Sequence, residues 1–95
     1  MKLRFRYGRW IFGKRGMVLY PYVLFRDSRE EVSDRLFRHE MQHVYQVQRL
    51  GWFRFYTSYI WEQLRHGTKG NKYEVEARAR HWLTLTPRER EYRGA

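Results

Sequence analysis

The sequence predicts an α+β fold, with an N-terminal β-hairpin or small sheet followed by three main helices. Three observations carry that prediction. Basic and apolar residues alternate near the N-terminus, the apolar spacing lengthens to a helical period beyond residue 30, and each helical stretch is bounded by cap or glycine signals. The 95 residues are read as a single minimal domain, 1–95, with room for a small core and a shallow site.

From Lys2 to Trp10, Leu3, Phe5 and Tyr7 fall on one side and Lys2, Arg4 and Arg6 on the other, the pattern of a half-buried strand. Gly13 to Gly16 is a turn signal, and Val18 to Phe25 is rich in Val, Leu, Tyr and Phe, so the two segments are expected to pair as a hairpin. Pro21 has no N–H to give a ladder, which places the second strand at an edge or starts it after the proline.

Asp27 and Ser28 are N-cap residues with Glu30 and Glu31 three positions on, so the first helix is expected to begin there, run to about Leu50 and stop at Gly51. Val32, Leu36, Val44, Val47 and Leu50 mark its apolar face, which residues 39–43 interrupt. A second helix is read over Trp52 to Leu64, breaking at His66 to Gly70. Its aromatics Trp52, Phe53, Tyr56, Tyr59 and Trp61, with Trp82 further on, are first of all core candidates and secondarily walls of a substrate groove. Asn71 caps a third helix, Lys72 to about Leu83, and Thr86 followed by Pro87 and Glu89 starts a last short one.

Twenty Lys and Arg against ten Asp and Glu give a net charge of +10, which favours acidic partners, nucleic acid among them. With 19% aromatic residues the composition suits single-strand binding, yet no zinc-finger, RNP, GXXG or basic-zipper signature is present. The absence of cysteine excludes disulfides and thiolate metal ligands, leaving His, Asp and Glu to hold any metal. No continuous apolar h-region opens the chain, and the apolar run Met17 to Phe25 is too short to span a bilayer. A cytoplasmic chain without a signal peptide or membrane span is expected.

Residues 39–43 read HEMQH, an HExxH motif. On a helix of 3.6 residues per turn, His39 and His43 stack on one face within reach of one ion, with Glu40 beside it. Accidental occurrence of the motif in a chain of this composition is on the order of one in a hundred. A catalytic zinc takes three protein ligands and keeps one position open, so a third donor must come from elsewhere. Glu74 and Glu76 on the expected third helix are the best candidates, with His66 and His81 as competitors. Glu74 has another use, as the capping-box partner of Asn71. Positions 74, 78 and 81 share a helical face, which makes Arg78 and His81 candidates for stabilising an oxyanion, against ordinary ion-pair or polar roles. Gln46, one turn beyond His43, is placed to hydrogen-bond near the site, against a plain surface or core-edge role, which is the main reading.

Residues 38–46, RHEMQHVYQ, together with the Leu50, Gly51 stop, the aromatic helix and NKYEVEAR at 71–78, resemble the gluzincin metallopeptidases, most closely the minigluzincins. The resemblance covers roughly residues 17–83. It implies a zinc cofactor held by His39, His43 and Glu74, with Glu40 as general base in the hydrolysis of peptide or protein substrates. The position where that family carries a carboxylate behind a ligand histidine is Arg78 here, so another group must orient the histidine, for which Glu76 or a backbone carbonyl is expected. The resemblance further implies that an edge strand around Val23 to Phe25 pairs with an extended substrate. It also implies that a terminal segment, residues 84–95, can cover the cleft. The alternative is a non-catalytic basic binding or assembly module, phage-related and nucleic-acid-associated, in which the metal is structural. A hybrid of the two would be a protease recruited to nucleic acid by its basic face, or one that selects acidic peptides.

Overall fold

The computed structural model describes residues 2–80 and 84–94. It contains a three-stranded sheet followed by four helices, a mixed α+β architecture. The strands are β1 (Arg4–Arg6), β2 (Gly16–Leu19) and β3 (Tyr22–Phe25), in the spatial order β1-β3-β2. The hairpin lies within the segment read as one strand. Tyr20 and Pro21 form its turn, and Gly16 to Leu19 runs antiparallel to Tyr22 to Phe25. β1 pairs parallel with β3, with Phe5 opposite Val23, instead of forming a hairpin with β2. Val23 to Phe25 is therefore the central strand with both edges paired, which rules out the expected role of that segment as a peptide-binding edge. The strand edge near the candidate site belongs to β2.

The first helix, α1, spans Asp34–Leu50. It begins later than Asp27 and Ser28 suggest, because Ser33 caps it by accepting from the Leu36 amide at 3.0 Å. Ser28 and Glu31 do interact, Oγ to Oε1 at 2.7 Å, but they close only an isolated turn. That turn delivers Val32, 1% exposed, into the core before the helix starts. Gly51 ends α1 at φ 86°, a left-handed conformation that costs glycine little.

Helix α2 covers Trp52–Gly70, with Gly67 non-helical at φ 69° inside the expected break. Phe55 is its buried aromatic, while Trp52, Phe53 and Trp61 are exposed, contrary to their reading as core. This helix carries aromatics on both sides, and Phe55 faces inward because it meets Val47 and Tyr73 there. Trp82 lies outside the described residues. Helix α3 spans Lys72–Arg80, and Asn71 caps it by accepting from the Tyr73 amide at 2.9 Å.

Helix α4, Pro87–Gly94, has the expected reciprocal cap: the Glu89 amide donates to Thr86 Oγ1 at 3.2 Å, and the Thr86 amide donates to Glu89 Oε1 at 3.0 Å. Glu89 is fully buried and also binds Arg38 and the Tyr45 hydroxyl, both on α1. Tyr92 packs against the Phe5 ring.

The main core is an aromatic stack between sheet and helix. Phe37 of α1 lies 5.4 Å from Phe5 and 5.8 Å from Phe25, with ring planes nearly parallel. Val23, Met41 and Val44 complete it with no exposed surface. These contacts fix the rotation of α1, which turns His39, Glu40 and His43 toward β2 and α3. No helix among the described residues is long and apolar enough to cross a membrane.

Candidate metal centre

The helical spacing of the motif does what it predicts: His39 and His43 project side by side, their ring centroids 5.1 Å apart. Both aim Nε2 at one oxygen of Glu74, with Nε2 to Oε1 distances of 3.0 Å for His39 and 3.2 Å for His43. The donor atoms of these three residues lie within 4.8 Å of one another. Glu74 arrives on the first turn of α3, and α3 is held against α1 by the Tyr73, Val47 and Phe55 contacts.

Glu74 does not close a capping box, since its oxygens face the two histidines and Tyr59. Glu76 points elsewhere, accepting from Gln46 Nε2 at 2.8 Å and lying 3.5 Å from Arg49. His66 is exposed on α2 and outside the cluster. His81 lies outside the described residues.

Gln46 takes the place at the site that its position one turn beyond His43 allows, and not one on the surface. It is 1% exposed, and its Oε1 lies 2.8 Å from His43 Nδ1. The amide orientation is fixed chemically, because Gln46 Nε2 donates to the Tyr73 carbonyl at 3.0 Å and to Glu76, both acceptors. The Gln46 oxygen therefore faces His43 and accepts from Nδ1–H. With Nδ1–H committed to Gln46, Nε2 is the nitrogen turned to Glu74: protonated it donates to the carboxylate, and deprotonated it offers a lone pair to a metal. Glu76 thus acts one step further back than expected, by holding the glutamine rather than the histidine. The i, i+3 spacing of His43 and Gln46 is the available signal in the sequence.

Tyr59 packs its ring on Phe55 and Tyr73, as a core candidate should, and also donates its hydroxyl to the second Glu74 oxygen. Burial and the Glu74 charge raise this phenol above its ordinary range, so it remains a donor. Burial alone would raise the Glu74 carboxyl, yet the hydrogen bonds to His39, His43 and Tyr59 hold it well below the usual carboxylate range. Glu40 is 5% exposed, and desolvation raises its carboxyl against the lowering influence of His43 and His39.

This donor set fits zinc. Two imidazole nitrogens and a carboxylate oxygen are ordinary zinc ligands, and bonds of about 2.0 to 2.1 Å in a tetrahedron put donors roughly 3.3 Å apart. The spacings of 3.0 and 3.2 Å are close to that edge length. Burial lowers the His43 imidazole, but the hydrogen bond to Glu74 and the Glu40 and Glu74 charges raise it overall, so a proton on Nε2 can hold this contact and a metal ion would take its place.

Two cavities flank the cluster. One of about 320 Å³ runs along β2 past His43 and Glu40 and is walled by Val18, Leu19, Phe55 and Ile60. The other, of about 450 Å³, opens on His39, Glu40, Glu74 and Arg78. Gly16 stands between them. A Cβ there would come within 2.9 Å of the Glu40 Cγ and Oε2, so the backbone of β2 lies directly on the carboxylate.

Arg78 borders the second cavity while its guanidinium donates to the Thr68 and Lys69 carbonyls at 3.2 and 2.7 Å, pinning the segment between Gly67 and α3. Residues 84–94 line neither cavity. Instead Glu89 binds Arg38 and Tyr45 of α1 and Tyr92 packs on Phe5 of β1, so the expected covering of the cleft by this segment is not what the described residues do.

Compared with protein-family models, curated proteins and solved structures, the chain matches none.

Proposed function

We propose that the chain is a zinc-dependent metallopeptidase, with His39, His43 and Glu74 as zinc ligands and Glu40 as general base. The observation that carries this reading is the convergence of three donor atoms within 4.8 Å, beside a buried carboxylate at the mouth of two cavities. Bound zinc supplies Lewis acidity, polarising a carbonyl and lowering the pKa of a coordinated water to about 7.

The protein's own groups do the rest. Gln46 fixes the His43 tautomer, and Tyr59 fixes the Glu74 rotamer. Glu40 sits where burial increases its proton affinity, which suits a group that takes a proton and hands it to a leaving amine. The two-residue turn makes Leu19 and Tyr22 a hydrogen-bonded pair, and the Arg26 amide donates to the Arg15 carbonyl at 3.0 Å. By alternation, Gly16 and Val18 turn their amides and carbonyls away from β3. Tyr56 already bridges the Val18 carbonyl and the Tyr20 amide, at 2.9 and 2.8 Å. Gly16 and the Val18 amide are left to align an extended peptide above Glu40.

A cytoplasmic setting belongs to this reading and rests on the cysteine-free sequence. The test is peptide cleavage by zinc-loaded protein and by Glu40→Gln. Cleavage lost in the variant with zinc still bound 1:1 supports the reading, and full activity in the variant sinks it.

A second reading, a nucleic-acid-associated module with a structural metal, draws on the exposed Trp10, Phe12, Trp52 and Phe53 amid a net charge of +10. Salt-sensitive affinity for DNA or RNA that survives chelation would favour it, and no binding at low salt would count against it.

A further inference from the structure

The groove at the candidate site is electrically lopsided. The cavity along β2 is walled by Val18, Leu19, Phe55, Tyr56 and Ile60, with Lys14 at its shared boundary. The cavity beyond Gly16 is bordered by Lys14, Arg15, Arg35 and Arg78. Its only carboxylates among the described residues are Glu40 and Glu74, which it shares with the metal centre.

Lys14 and Arg15 are exposed on the turn that leads into β2, and Arg35 is exposed on the first turn of α1. Arg78 projects from α3 and hydrogen-bonds two uncharged carbonyls. Among the described residues, no carboxylate lies within ion-pair distance of Lys14, Arg15 or Arg78. Three elements that are distant in sequence thus direct cationic side chains to one rim, while the opposite side of the groove is apolar. A basic surface of uniform character would not make that division.

We infer that this second cavity is a subsite for an acidic side chain, Asp or Glu, of a peptide laid along β2, while the first cavity takes an apolar neighbour. The inference deepens the metallopeptidase reading and rests on it for the position of the peptide. Glu40 and Glu74 would repel an acid at the floor, so the carboxylate sits at the rim, between Lys14 and Arg15 on one side and Arg78 on the other. A peptide suits the groove better than a nucleic acid does. The cavity opens onto the Gly16 edge, whose amide and carbonyl match a peptide backbone and not a sugar-phosphate.

The test uses zinc-loaded full-length chain carrying Glu40→Gln, so that bound peptide is not cleaved. Fluorescence anisotropy compares labelled peptides that differ only by Glu or Gln at one position, scanned along a neutral apolar frame. One position is expected at which Glu binds about five- to tenfold tighter at low salt, the size of one or two screened charge contacts. Lys14→Gln with Arg15→Gln removes that preference. Arg54→Gln with Arg65→Gln, an equal charge change on α2 at residues that do not line the groove, keeps it.

Equal loss in both double variants, or no position that prefers Glu, overturns the inference. So does displacement of the acidic peptide by a short oligonucleotide at concentrations where excess unlabelled peptide fails. Wild-type cleavage separates the two claims. Equal kcat/KM for acidic and neutral peptides sinks the subsite and leaves the peptidase, whereas position-specific Glu binding without any cleavage leaves the subsite and sinks the peptidase.

Discussion

The oxygen of Gln46 lies 2.8 Å from Nδ1 of His43, one turn away on the same helix, and it sets which nitrogen of that imidazole is presented to Glu74. The glutamine is held in turn by the Tyr73 carbonyl and Glu76, so α3 supplies both the third donor and the clamp on the second. Removing the clamp is expected to loosen the metal without unfolding the helix. Gln46→Ala should weaken zinc binding by about 10- to 100-fold in a chelator competition. Gln46→Glu should not restore it, because a carboxylate there opposes Glu76 and the Tyr73 carbonyl. Undiminished affinity in Gln46→Ala would show that His43 needs no such partner.

Gly16 is expected to matter through the space it leaves free. Its Cβ would lie 2.9 Å from both Cγ and Oε2 of Glu40, and the buried carboxylate has little room to retreat. Gly16→Ala should bind zinc normally yet lower kcat by about 10- to 100-fold through misplacement of the base. Kinetics and zinc content measured on the same preparation check this, and an unchanged kcat would mean that Glu40 shifts without cost.

Much of this arrangement is legible in the sequence, and the misreadings have common causes. HExxH, the α3 cap at Asn71 and the Thr86, Glu89 box depend on spacings within one helical turn, which local sequence records. Which partner an element meets is a long-range matter. Pro21 correctly signals an interruption, but nothing local says that the chain folds back there and that β1 then joins β3 in parallel. Ser28 with Glu31 and Ser33 with Leu36 are rival caps, and the burial of Val32 decides between them. Similarly, the aromatics of α2 offer two faces, and Val47 with Tyr73 selects the one containing Phe55. The His43 to Gln46 spacing is legible within α1, whereas the clamp on Gln46 and the role of Tyr59 arise only once α3 lies across α1.

Glu89 ties the C-terminal helix to the motif helix. It is fully buried and receives hydrogen bonds from Arg38, Tyr45 and its own cap. Glu89→Ala leaves the Arg38 guanidinium buried without its carboxylate. A loss of about 3 to 5 kcal/mol in denaturant unfolding is expected, the range for breaking a buried pair. A loss below about 1 kcal/mol, the value of a surface pair, would show that α4 contributes little to the fold.

Metal should stabilise the fold as well as serve the reaction, since His39, His43 and Glu74 join α1 to α3. Chelation should lower Tm, and zinc at a thousandfold excess over its Kd should add about 4 kcal/mol. Glu74→Gln should show most of that loss even with zinc present. A Tm insensitive to both zinc and chelator would contradict a metal at this position.

The most direct test is a crystal structure of the zinc-loaded protein with anomalous data at the zinc edge. A zinc ion is expected at about 2.0 to 2.2 Å from Nε2 of His39, Nε2 of His43 and an oxygen of Glu74, with its fourth position open to solvent beside Glu40. A metal elsewhere, or a fourth position closed by a protein side chain, would contradict the catalytic site proposed for this chain.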